Sequence, residues 1–525
     1  MLKSCCKLFV ILTLWHIYYI IQKILKKVVD IMNYLLDEFV FAEQVLNNYD
    51  LYNGTDRENS FKMNLKPDFL PENQKVFALP YFLIPLDKDF ILYKKEEKKF
   101  FDENLFLSKN GKIYYPFFVH PETEELFVSW LNGKYEFIDG DESIYKATPT
   151  SSYRSLLVTN IKTNIKFIAK VSLFDNVANG ARHIDWSSAF GQYGSSQIVC
   201  KCVNNVENLK FFEDIAAFGI TADRALLLSN RFRVLIGERR IKTLANVIRK
   251  LPEEFYTESA GKICSIASFS SPVLSKESYI YKAWKASKLN YLKFVDKYIF
   301  NPVKNILLRL FLEHGIVLES HCQNMMLELN ESYLPTGKFY YRDFDITSFD
   351  RARFPFLHKK EWFEYCAMGE NRTTLSSNMA MREYIGMSFL FHFIDNLIYP
   401  CVKYGVYKKI IPEFKGKRFI AQKYKEMKNE ILNLCPLADE SFKKNNEKWP
   451  YFKGTLKNIS LSEIPVKLNK INEKIDLEKN YEKIIVGKPI YSGINYYKSD
   501  CGLIVAADKE NVFEIFNMKN GIKNG

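Results

Sequence analysis

An apolar run from Ile316 to Leu329 is interrupted by Glu319, His321, Gln323 and Asn324, and an aromatic run shortly after it by Arg342 and Asp343. Polar groups in such runs must find partners, because burying them without a hydrogen bond costs free energy. Glu319, His321 and Gln323 are spaced by two, so on a strand they would share one face while Ser320 and Cys322 point the other way. Acceptors at Glu319, Asp343 and Asp345, amides at Gln323 and Asn324, a titratable ring at His321 and a fixed cation at Arg342 suit a metal-bound polyphosphate. The plainer alternative is that His321 and Asn324 satisfy buried backbone and that Arg342 and Asp343 form a structural ion pair.

The 525 residues are 47% apolar and 15% aromatic, which predicts a globular chain of two or three domains and excludes disorder. Basic residues outnumber acidic ones, 74 to 61, but no Arg-rich stripe with interleaved aromatics stands out. The net charge of +13 therefore points to anionic small substrates or a membrane surface, with no nucleic acid as partner. The close cysteine pairs are Cys5-Cys6 and Cys200-x-Cys202, so neither a zinc site nor a disulfide framework is indicated, and a reducing, cytoplasmic interior fits. No H-E-x-x-H occurs, and no Gly-Lys pair is followed by Ser or Thr, which removes the zincin helix and the P-loop.

Residues 1–30 form a hydrophobic segment, nearly unbroken from Leu8 to Ile21 and flanked by Lys3, Lys7, Lys23, Lys26 and Lys27. It is short of the roughly 20 residues that a spanning helix needs, and its basic flanks leave membrane association through residues 8–21 open beside a buried helix or upstream sequence outside the working protein. An N-terminal domain is expected over 31–140, with a helix from Asn33 to about Asn48 and then aromatic, short-period strands and loops. His120-Pro121 ends one of these runs, either as a site residue or as a satisfied turn histidine. A central domain follows over 141–350. Thr148-Pro-Thr-Ser-Ser-Tyr-Arg154 sets four hydroxyls and an Arg directly before an apolar strand, the makings of a glycine-free phosphate loop or of a Ser/Thr-rich turn.

Asn164 to Phe174 reads as an alternating strand with Lys166 and Lys170 on one face, and Ala178 to His183 as a helix opening or turn. Residues 205–255, with several arginines, carry no assignable pattern. Tyr281 to Leu312 has the spacing of one long helix, His314 being its last turn before a stop at Gly315. From 351 to 525 a helical domain is expected, closing on a short hairpin in the last forty residues.

Taken in order, Val119-His-Pro121, Thr148 to Ser155, Lys170, Asn179-Gly-Ala-Arg182, His314 to Asn324 and Tyr341-Arg-Asp-Phe344 resemble the siderophore synthetases that work without a nonribosomal peptide synthetase, the aerobactin-synthetase type. The likeness is specific over 115–345 and looser to about 460, where Trp449-Pro-Tyr-Phe-Lys453 resembles a Lys-bearing segment of that family. It implies an α+β cupped-hand fold: an N-terminal region, a central mixed α/β nucleotide-binding palm and a largely helical C-terminal part with a ferric-reductase-like region. It further implies adenylation of a carboxylate of citrate or a similar polycarboxylic acid with ATP and Mg²⁺. Displacement of AMP by a polyamine, another amine or a hydroxyl then gives the amide or ester, and homodimers are expected.

On that resemblance Ser151, Ser152, Arg154 and Lys170 would hold the phosphates, with His120 and Gln323 at the nucleotide. His321 would stand by the α-phosphate and the attacked carboxylate. Arg182 would pair with the acid substrate, and Glu319, Asn324 and Asp343 would ligate Mg²⁺. The sequence departs from the family pattern at Glu122, Ala178, Cys322 and Asp345. Two other readings stand beside it: a phosphotransferase, from the faint echo of kinase loops in His321-x-Gln-Asn and Arg-Asp-Phe, and a non-catalytic, membrane-tethered nucleotide- or acid-binding protein.

Overall fold

The computed structural model describes residues 38–46, 69–71, 74–131, 133–177, 180–203, 206–227, 240–256, 262–271, 278–345, 347–349 and 386–434, together with five strands between 469 and 517. The hydrophobic segment 1–30 and the Trp449–Lys453 motif lie outside the described residues. No helix among the described residues is long and apolar enough to cross a membrane.

The N-terminal strands are β1 (Phe77–Ala78), β2 (Tyr81–Pro85), β3 (Phe90–Tyr93), β4 (Leu107–Lys109), β5 (Lys112–Phe118) and β6 (Glu136–Ile138). The central ones begin with β7 (Tyr145–Pro149), β8 (Ser155–Asn160), β9 (Lys166–Lys170), β10 (Leu173–Val177), β11 (Gly180–Arg182), β12 (Leu209–Phe211), β13 (Asp214–Leu227) and β14 (Arg240–Arg249). They continue with β15 (Lys262–Ser265), β16 (Ile316–Leu318), β17 (Met325–Leu329), β18 (Pro335–Tyr341) and β19 (Thr347–Phe349).

A seven-stranded antiparallel sheet in the order β1-β7-β8-β9-β14-β13-β3 organises the palm. Its alternation sorts side chains between two layers. Leu156, Val158, Phe167, Ala169, Phe218 and Ile248 pack with Phe82, Phe117 and Phe118 of the four-stranded β4-β5-β2-β6 sheet. On the other face Ala217, Ala245 and Val247 meet the helix Trp186–Cys202 through Ala189 and Tyr193, while Leu157 and Ile168 pack with Met326 and Tyr340. A second four-stranded sheet, β12-β18-β17-β15, carries those last two residues.

Several expectations need correction. The helix expected from Tyr281 to Leu312 is broken: Tyr279–Ser287 ends at Lys288 with φ 56°, and Asn290 caps a new helix by accepting from the Lys293 N–H. A π-helical stretch, Asp296–Phe300, then leads into Asn301–His314, which stops at Gly315 (φ 63°) as expected. Of the two readings of Ala178 to His183, a helix opening or a turn, the helix does not hold: Gly180–Arg182 is the return strand of a hairpin with β10, and the helix starts at Trp186 with Asp185 as its cap. The unassigned region 205–255 supplies β13 and β14, next to each other in the large sheet. Beyond 351 the helices Gly386–Ile398, Tyr399–Tyr407 and Glu413–Leu434 fit the expected helical part. The expected hairpin is instead part of a five-stranded antiparallel sheet built from strands between Asn469 and Asn517.

Candidate active site

Lys170 ends β9 and is buried, although its Lys166–Lys170 face could have been the solvent side. Its Nζ donates to Asp343 Oδ1 at 2.9 Å and to Gln192 Oε1 at 2.8 Å. Gln192 Nε2 donates to Asp214 Oδ2 at 2.9 Å, and Asp214 receives Arg249 Nε at 2.7 Å and Nη2 at 3.3 Å. The ring closes where Arg249 Nη2 stands 3.8 Å from Asp343 Oδ1. Burial raises the Asp343 carboxyl, but Lys170 first, then Arg249 and Arg154, hold it well below the usual carboxylate range. Burial pushes the Lys170 amine down against the pull of Asp343. Asp343 also has φ 74°, a left-handed backbone that Asp adopts at a local cost and that often marks a functional turn.

The hydroxyl loop is a tight turn at the β7–β8 corner. Thr150 Oγ1 donates to the Ser155 carbonyl, Ser152 Oγ accepts from the Ser155 N–H, and Tyr153 has φ 63°. Ser151 Oγ is turned inward to Glu43 Oε2 at 2.9 Å, whereas Ser152 is exposed. Arg154 Nη1 donates to the His183 carbonyl at 3.3 Å, and its charge is felt at both Lys170 and Asp343. Arg154, Lys170 and Asp343 thus come together.

Strand β16 stops at Leu318, so Glu319, His321 and Gln323 do not share a strand face as the spacing of two suggested. They sit in a turn: the His321 carbonyl accepts from the N–H groups of Asn324 and Met325, both at 3.1 Å. Asn324 Nδ2 donates to the Glu319 carbonyl at 3.1 Å and to Oε2 at 3.4 Å. His321 Nδ1 accepts from the Gln323 N–H at 3.1 Å, which leaves Nε2 as the ring's donor, facing Glu319 Oε2 at 4.0 Å. The Tyr341 hydroxyl ties this turn to the next: it accepts from the Glu319 N–H at 3.2 Å and donates to the Asp343 carbonyl at 3.1 Å.

Arg342 and Asp343 are not an ion pair with each other. Arg342 Nη1 reaches Glu43 Oε2 at 2.8 Å and its Nε donates to the Gln323 carbonyl, bracing the turn from behind. His120 is fully buried against Phe69 and Phe77, its Nδ1 accepts from the Glu122 N–H, and burial lowers its pKa to about 3. The ring thus caps the turn through Nδ1, while its Nε2 is buried without a hydrogen-bond partner among the described residues. Arg182 is described by its backbone alone, paired with Leu173 in the β10–β11 hairpin.

Sequence reasoning missed Glu43, Gln192, Asp214, Arg249 and His392. Asp214 and Arg249 flank apolar runs inside the region left unassigned, a signal that a charged pair bounds two neighbouring strands. His392, on the helix Gly386–Ile398, stands 3.7 Å from Glu319 Oε1 with its ring 5.8 Å from that of His321; burial, then His321, lowers its pKa to about 3. Among the described residues no three His, Cys, Asp or Glu side chains form a metal-holding group. Glu319, Asn324 and Asp343 are two carboxylates and an amide on turns joined by one phenol, a hard oxygen set that fits a Mg²⁺ keeping several of its waters.

The sequence family FhuF, ferric iron reductase FhuF-like transporter, matches residues 297–371, starting upstream of the boundary expected at 351. No curated protein matches the chain in sequence. Among solved structures, ATP-bound aerobactin synthetase IucA from Klebsiella pneumoniae matches with a TM-score of 0.51 at 14% identity, over 77% of this chain and 73% of that one. Petrobactin biosynthesis protein AsbB from Bacillus anthracis matches with a TM-score of 0.48 at 17% identity, over 71% and 63%. Aerobactin synthetase IucC from Klebsiella pneumoniae gives 0.48 at 14%, over 71% and 66%. The chain thus spans about two thirds of the length of these relatives. At such identities the likeness is one of fold: the chain has the α+β fold of the aerobactin synthetase IucA.

Proposed function

We propose that the chain is an ATP-dependent ligase that adenylates a carboxylate of citrate or a similar polycarboxylic acid and joins it to an amine or hydroxyl, releasing pyrophosphate and AMP. The observation that carries this reading is the convergence of Arg154, Lys170 and Asp343 with the Glu319–Asn324 turn, in a fold shared with an ATP-bound synthetase.

Arg154 and Lys170 hold the nucleotide phosphates, with the exposed Ser152 hydroxyl as a further donor; Ser151, spent on Glu43, contributes by shaping the loop. Gln323 contributes to the nucleotide site, and Arg182 binds the acid. The acid's carboxylate oxygen attacks the α-phosphorus and pyrophosphate leaves. His321 presents an Nε2–H, so its part is to donate to oxygen that gains charge in that step. The amine then attacks the acyl carbon, AMP departs with the bonding pair, and the ammonium proton is lost. Glu319, Asn324 and Asp343 would hold Mg²⁺, which supplies neutralisation of phosphate charge.

The test is pyrophosphate and AMP release by the full-length protein with ATP and Mg²⁺ across a panel of di- and tricarboxylic acids. Acid-dependent pyrophosphate release supports the reading. ADP with a phosphorylated acceptor, or ATP binding without turnover that His321→Ala leaves unchanged, overturns it.

A further inference from the structure

Asp343 has two cations within ion-pair reach but takes a hydrogen bond from Lys170 and not from Arg249. Lys170 Nζ is at 2.9 Å, while Arg249 Nη2 is held at 3.8 Å. What restrains the guanidinium is Asp214, which is 0% exposed and engages Arg249 through both carboxylate oxygens. Asp214 is itself fixed by the helix Trp186–Cys202: its N–H donates to Ser196 Oγ at 2.9 Å, its carbonyl accepts from Gln197 Nε2 at 2.7 Å, and Gln192 Nε2 takes Oδ2. That helix therefore sets the position of a carboxylate, the carboxylate sets a guanidinium, and the guanidinium stops short of Asp343.

We infer that Asp214 is a positioning residue that keeps Asp343 available to a divalent cation by withholding the Arg249 guanidinium from it. The inference rests on the proposed metal role of Asp343. A planar guanidinium released beside a carboxylate closes on it with two parallel hydrogen bonds. A carboxylate so occupied offers a metal fewer lone pairs and less net charge. The same pair also explains the Gln192 contacts. Its amide donates to Asp214 and accepts from Lys170, so it spaces the buried carboxylate from the lysine and leaves Lys170 with Asp343 as its carboxylate partner in the ring.

The probe is Mn²⁺ alone, titrated into the full-length protein and followed by loss of the free-ion paramagnetic resonance signal, with the variants checked by circular-dichroism melting. The Asp343→Asn variant comes first. If the wild-type protein binds no Mn²⁺, or binds it equally well after Asp343→Asn, the metal reading itself fails and this inference with it. If that control abolishes binding, Asp214→Asn is expected to weaken Mn²⁺ about tenfold, the effect of drawing a unit charge closer by an ångström in a protein-like dielectric. The neutral double variant Asp214→Asn/Arg249→Gln is expected to restore affinity to at least the wild-type level, a rescue that a merely structural role would not give. Unchanged Mn²⁺ affinity in Asp214→Asn, or a double variant weaker than wild type, overturns the inference. The double variant decides alone should Asp214→Asn not fold, since a buried pair replaced together is tolerated better than one partner removed.

Discussion

Lys170 and Asp343, 173 residues apart in the chain, meet at 2.9 Å with unequal exposure: the lysine side chain is 4% exposed and the aspartate 32%. The cation lies beneath and the carboxylate at the rim, so Asp343 can exchange partners with incoming ligands while Lys170 remains fixed on Gln192. Substitution of Lys170 by Ala is expected to cut acid-dependent pyrophosphate release by about 10²–10³-fold, the scale of losing one preorganised charge at a developing anion. The fold should survive, because Asp343 is 32% exposed and its charge does not stay buried without compensation. Near-wild-type release from a folded Lys170→Ala protein would remove Lys170 from the phosphate site.

His321 distinguishes a hydrogen-bond donor from a proton acceptor. With Nδ1 taken by the Gln323 N–H, Nε2 is the position from which the ring donates. His321→Gln carries an amide N–H and should keep a measurable part of the activity, whereas His321→Ala should lose about 10²–10³-fold. Equal losses in both, measured as kcat for pyrophosphate release, would count against the donor role.

Arg342 and Glu43 pair across 299 residues and are predicted to matter for folding. Glu43 is 1% exposed and its Oε2 also takes the Ser151 hydroxyl. Removing the guanidinium alone, as in Arg342→Met, leaves a buried carboxylate uncompensated and should cost about 3–5 kcal/mol in urea unfolding. Glu43→Gln combined with Arg342→Met should recover part of that loss, a coupling that a double-mutant cycle reads directly. Additive losses would show that the pair is not a unit.

These pairings mark the boundary of what the sequence disclosed. The apolar strand that follows Arg154 and the stop at Gly315 were readable because they depend on neighbours in the chain. The chemistry-bearing types at 151–154, 170 and 319–343 were readable for the same reason. Which of two adjacent residues, Arg342 or Asp343, would face the site was not, since their partners lie at Glu43 and Lys170. The spacing of two at Glu319, His321 and Gln323 misled because Asn324 side-chain bonds to Glu319 close a turn that a strand pattern does not anticipate. Arg249 was hidden by long-range register: it matters only because β14 lies beside β9 and β13.

His120 predicts a pH dependence of stability. Its pKa falls from an ordinary 6.5 to about 3 through burial, so between those values the unfolded chain binds a proton that the folded chain does not. The contribution is fully present above pH ~6.5 and is lost as pH falls, by about 1.4 kcal/mol per unit. His120→Asn keeps an acceptor for the Glu122 N–H and should flatten the stability curve between about pH 6 and 4.5 by one proton's slope. An unchanged slope would mean that His120 takes up its proton without unfolding.

Gly219 ties the large sheet to the helix that carries Gln192. It lies on β13 opposite Phe90 of β3, and a Cβ there would stand 2.6 Å from Trp186 Cε3 and 3.3 Å from Phe90 Cβ. Trp186 stacks on Phe90 with centroids 4.7 Å apart and is the first residue of the helix whose Gln192, Ser196 and Gln197 hold Asp214. Gly219→Ala must therefore displace the indole, and with it the helix start, at about 1–3 kcal/mol for an overpacked contact. Because the Asp214 clamp travels with that helix, activity should fall further than the loss of folded protein accounts for. Trp186→Leu in the same chain returns the space and should recover stability relative to Gly219→Ala alone; no recovery would show that the strand backbone, and not the indole, resists the added methyl group.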